Sequence, residues 1–77
     1  MEDSIDALFD QMIAQQRSKV AALARALDPH LTPDDLLSPQ DFPQLAADPR
    51  FSYEDGILAG LISAQVAVRA QLRRGRA

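Results

Sequence analysis

All five prolines of this 77-residue chain fall between Pro29 and Pro49, spaced by four, six, four and six residues. Proline lacks a backbone N–H and its ring clashes with the preceding turn, so no long helix can cross this stretch undisturbed. The sequence therefore divides into two helix-length segments joined by a punctuated connector. Its length allows one domain, 1–77, and a core of that size supplies only about 3–5 kcal/mol unless something adds to it. Cysteine is absent and His30 is the lone histidine, so disulfides and thiolate sites are excluded and a histidine-built zinc site has too few ligands. Association of the chain with a second copy is the source of stability that remains.

From about residue 4 to 27, apolar residues recur at helical spacing: Phe9, Ile13, Val20, Leu23 and Leu27 form one stripe, widened by Ile5, Leu8 and Met12. Asp3 or Ser4 can cap this helix, and Arg17, Lys19 and Arg25 fill its later half, where the helix dipole favours cations. Over residues 28–52, Asp28-Pro29, Thr32-Pro33, Ser38-Pro39 and Asp48-Pro49 each place a capping residue before proline. That arrangement starts a short helical turn at little cost, because the first helical N–H has no partner to lose. Phe42 precedes Pro43, which biases it away from helical backbone and breaks any helix there. Leu31, Leu36, Leu37, Phe42, Leu45 and Phe51 alternate with the caps, so the connector is expected to be ordered and packed. A second helix is expected from about 53 to 73, begun by Ser52 with Glu54 and Asp55 in its first turn, followed by a frayed tail at 74–77 beyond Leu72.

The second helix has an unusually wide apolar surface. Leu58, Leu61, Val68 and Leu72 make one stripe, yet Ile57, Ile62 and Val66 lie outside it, and one partner helix cannot cover both sets. Gly56, Gly60 and Ala64 would allow close approach along a further face. Charge favours an antiparallel arrangement of the two helices. Asp6 and Asp10 begin the first, Arg69 and Arg73 end the second, and the bases of the first would meet Glu54 and Asp55. The expected fold is all-α: an antiparallel two-helix hairpin with a proline-rich, short-helix connector, dimerising into a four-helix bundle. Gln16 and Gln65 each lie near the middle of an apolar stripe, and as a buried amide pair they would fix register and association state.

Catalytic chemistry finds little support. No nucleophile and base pair stands out, no catalytic, cofactor-binding or metal-ligating set can be named, and the connector acids lack the glycine turn of a calcium loop, since the first glycine is Gly56. The net charge of −3 argues against nucleic acid as a general partner. Only Arg69, Arg73, Arg74 and Arg76 form a basic cluster, and it lacks interleaved aromatics. The longest uncharged run, residues 56–68, is too short for a transmembrane helix, and the acidic amino terminus is unlike a secretory signal, which points to a cytoplasmic protein. The functional expectation is a small non-enzymatic interaction or accessory protein, without cofactors. It would work as a homodimer, with Gln16, Gln65, Ile57, Ile62 and Val66 as association residues and another protein as partner. The competing expectation is weak polyanion binding through the arginine cluster.

Overall fold

The computed structural model describes the backbone of residues 3–76 and the side chains of residues 4–75. Two long helices, α1 (Asp3–Leu27) and α3 (Pro49–Arg76), pack side by side in opposite directions. Between them run two 3-10 turns, Asp35–Leu37 and Pro39–Asp41, and the four-residue helix α2 (Pro43–Ala46). The molecule is elongated, 46 × 20 × 17 Å. No helix among the described residues is long and apolar enough to cross a membrane.

Local chemistry explains the connector. Thr32 and Asp35 form a reciprocal capping box: the Thr32 N–H donates to Asp35 Oδ2 at 2.9 Å and the Asp35 N–H to Thr32 Oγ1 at 3.3 Å. Asp28 ties the end of α1 to the connector, accepting from the His30 N–H at 3.1 Å in the first loop and from Gln44 Nε2 of α2 at 2.9 Å. Phe42 is extended, with φ −119° and ψ 100°, as a residue before proline should be. Ser38 precedes Pro39 but makes no side-chain capping bond. At the last cap–proline pair the expectation needs correcting. Asp48 Oδ1 accepts from the Phe51 N–H at 2.8 Å, so Asp48-Pro49 opens α3 itself and the helix begins at Pro49, not near 53. The connector shrinks to residues 28–48, and Ser52 becomes an interior helical residue. At the other end α3 runs through Gly75 to Arg76, longer than the expected stop at 73 with a tail from 74. A glycine near a helix end costs about 1 kcal/mol relative to alanine, which the flanking arginines, good helix formers, can tolerate. Ala77 lies outside the described residues.

The core is concentrated at the closed end of the hairpin. Ile13, Val20 and Ala24 of α1, Leu31 and Leu45 of the connector, and Phe51 and Leu58 of α3 are buried, with Phe9, Leu23, Leu36, Phe42 and Leu61 packed against them. Ala24 and Leu45 are fully enclosed. The connector is thus a third layer laid over the two helices near their junction. Phe42 and Phe51 form an aromatic plug at this end, whereas Tyr53, two residues after Phe51, is 68 % exposed and takes no part in it.

Candidate functional site

Two polar clusters fix the register of α1 against α3. At the open end Arg69 donates to both Asp6 oxygens, Nε to Oδ1 at 2.6 Å and Nη2 to Oδ2 at 2.9 Å, and lies 3.7 Å from Asp10. Beside it Gln65, a buried polar residue outside the apolar core cluster, donates Nε2 to Asp10 Oδ1 at 2.9 Å and to Asp6 Oδ1 at 3.3 Å. Nearer the closed end Gln16 Nε2 donates to the Glu54 carbonyl at 2.8 Å and to Glu54 Oε1 at 2.7 Å, while Lys19 approaches the other carboxylate oxygen at 3.5 Å. The acid-to-base complementarity legible in the sequence is therefore realised at both levels, by side chains from opposite helices.

The expected glutamine pair does not form within the chain. Gln16 and Gln65 each take a carboxylate from the facing helix, and neither bonds the other. Register is the reason. Gln65 stands level with Asp10, six residues from Gln16, a displacement of roughly 9 Å at the helical rise. The two helices do not pack midpoint to midpoint: Arg69 on Asp6 and Gln16 on Glu54 slide α3 along α1, which carries Gln65 toward the open end and away from Gln16.

These contacts leave a pH signature. The Arg69 guanidinium, donating to Asp6, holds that carboxyl below the usual range, helped by its Coulomb attraction and by Gln65, with partial burial opposing. The Gln16 amide does the same for Glu54, with Lys19 and Arg50 adding to it against partial burial. Both groups bind protons more weakly folded than unfolded, so their contribution to stability is complete above the unfolded carboxylate range, about pH 4. It is lost as pH falls through the lower folded values. The melting temperature should therefore fall below pH 4, and Asp6→Asn should flatten that dependence. Thermal unfolding followed by circular dichroism from pH 7 to pH 2 measures both; a variant with the parent's acid slope would remove Asp6 from the linkage.

Beyond the polar clusters several large apolar side chains of both long helices are exposed. Ile5 and Leu8 of α1 are 46 % and 50 % exposed, and Ile57, Ile62 and Val66 of α3 are 37 %, 36 % and 59 % exposed. The three α3 residues do not share one row. Ile62 and Val66 are four apart and stack along one helix face, whereas Ile57 belongs to another, with Tyr53. An open cleft of about 540 Å³ lies where α1, α3 and the connector meet, with Ile13, Val20, Leu36, Leu37 and Leu58 among its apolar walls and Asp10, Arg17 and Asp55 among its polar ones. Gly56 and Gly60 meet nothing within 4 Å of where a Cβ would stand, so the small-residue face makes no close approach within the chain.

The arginine cluster is divided. Arg69 is committed to Asp6, Arg74 donates to Gln71 at 2.8 Å, and the side chain of Arg76 lies outside the described residues. His30 is exposed, and its bond to Asp28 uses the backbone, not the imidazole. Among the described residues no group of three or more histidine, cysteine, aspartate or glutamate side chains could hold a metal ion. Sequence reasoning did not anticipate that Gln65 would serve two aspartates. Its signal was available in the same charge pattern, because an antiparallel register that pairs Arg69 with Asp6 brings the residue one turn earlier on α3 to Asp10. No family model, no curated protein and no solved structure matches the chain.

Proposed function

We propose that this chain is a small non-enzymatic interaction protein that works as a homodimer, two hairpins joining through α3 into a four-helix bundle whose outer surface engages another protein. The observation that carries the reading is the exposure of Ile62 and Val66 in the middle of α3. Full burial of such a side chain is worth roughly 1.5–3 kcal/mol, and covering the third of Ile62 and the half or more of Val66 still in water gains a corresponding part of it, which counts against the few kcal/mol that a domain of this size gains from its own core. A side about 46 Å by 20 Å is large enough for the roughly 800 Å² per partner that a standard interface covers. The partner surface falls outside α3's row: Ile5 and Leu8 on α1, with Tyr53 and Ile57 on the far flank of α3, are apolar and exposed.

Sedimentation equilibrium at micromolar concentration is the test. Two chains per particle are expected, with Ile62→Arg shifting the particle to one chain at unchanged helicity. A fully helical monomer of the parent sequence would refute the homodimer.

A further inference from the structure

One face of α3 carries a seven-residue repeat of which the hairpin engages only the Arg69 guanidinium, on Asp6, and the edge at Asp55, in the cleft. Asp55, Ala59, Ile62, Val66, Arg69 and Arg73 follow one another at intervals of four, three, four, three and four, the spacing of a coiled-coil seam. The apolar members Ala59, Ile62 and Val66 are exposed, Arg69 and Arg73 are exposed, and Asp55 is half-buried with no ion-pair partner within 4 Å among the described residues. The row is therefore acidic at one end, apolar in the middle and basic at the other, over about 27 Å of helix.

Resting on the homodimer reading, we infer that this row is the dimer seam, occupied by the same row of a second copy running antiparallel about a twofold axis between Ile62 and Val66. That register sets Ile62 against the partner's Val66 and Asp55 against the partner's Arg73, and twofold symmetry makes each contact twice. Ala59 then faces the partner's Arg69, where a methyl side chain leaves room for the arginine stem while its guanidinium stays on Asp6, 2.6 and 2.9 Å away. Parallel pairing would place Asp55 beside the partner's Asp55 and Arg73 beside the partner's Arg73, two like-charge contacts in place of two attractions. Self-complementarity of this kind fits a second copy of the chain. A row with one acidic and one basic end matches its own reverse, whereas a polyanion would meet Asp55 as a repulsion.

The seam is tested by charge reversal in the full chain. Asp55→Arg and Arg73→Asp should each weaken the dimer about tenfold by sedimentation equilibrium at low salt, because each turns two facing attractions into repulsions. The double variant Asp55→Arg/Arg73→Asp should restore the parent affinity. Mixing the two single variants should give a heterodimer in preference to either homodimer, since one chain then has bases at both ends of the row and the other acids at both ends. Circular dichroism confirms that each variant keeps its helicity, and any that does not is replaced by the milder Asp55→Asn or Arg73→Gln, with loss of about half the effect expected. A parent chain that sediments as a monomer overturns the homodimer and the seam together. A parent dimer whose affinity ignores both single reversals overturns the seam alone and leaves the homodimer standing on another face, and single variants that weaken the dimer without rescue by the double reversal overturn the antiparallel register.

Discussion

Leu45→Ala should cost about 2–5 kcal/mol and leave a large fraction of the protein unfolded at 25 °C. Leu45 has no solvent exposure and sits in a four-residue helix that touches both long helices, so truncation leaves a cavity that neither rigid helix can collapse to fill. A chain of 77 residues has little in reserve, roughly 3–5 kcal/mol from a core of this size, so one such loss removes most of it. Urea unfolding monitored by circular dichroism gives the difference directly, and limited proteolysis gives its location. Cutting between Leu36 and Leu45 should be slow in the parent and fast in the variant, because the connector's order depends on this anchor. A loss under 1 kcal/mol would mean that the connector contributes little to the fold.

The second large effect is expected at Phe51, and its contrast with Tyr53 is the informative part. Phe51 is 3 % exposed and Tyr53 68 %. Phe51→Ala should cost about 3–5 kcal/mol, while Tyr53→Ala, two residues along the same helix, should change stability by no more than about 0.5 kcal/mol. Equal losses from the two in urea unfolding would show that the aromatic plug includes the tyrosine after all.

That contrast also marks where the sequence stops being legible. Helical spacing identified the two long helices and the stripe through Ile13 and Val20, because amphipathic periodicity over twenty residues leaves few alternatives. The antiparallel pairing followed from the charges, and Arg69 on Asp6 realises it. The start of α3 was misplaced because two capping residues, Asp48 and Ser52, compete within one turn of each other, and both are acceptable locally. Asp48 wins because Pro49 supplies the first helical residue and because starting there turns Phe51 into the core. Ala24 passed unnoticed as a core residue, since a methyl side chain gives almost no periodic signal. It is fully enclosed in the cluster that joins both helices to the connector residues Leu31 and Leu45. The supposed pairing of Gln16 with Gln65 failed for a different reason: it took the helices as aligned at their midpoints, whereas the carboxylates of the facing helix set Gln16 against Glu54 and Gln65 against Asp10.

The three-layered arrangement at the junction of the helices has a consequence for the remainder of the chain. Ile13 and Leu58 are the buried core residues nearest the open end, close to where the connector residues Leu36 and Leu37 last line the cleft. Past them two helices stand alone, and two cylinders in contact enclose a line of side chains but no volume. Phe9 and Leu61 can be only half covered there, and Gln65 reaches its burial by tying itself to carboxylates, not by entering an interior. In that half of the molecule, dryness is available only from outside, so the same twenty-one residues that give one end a true interior leave the other end incomplete by construction.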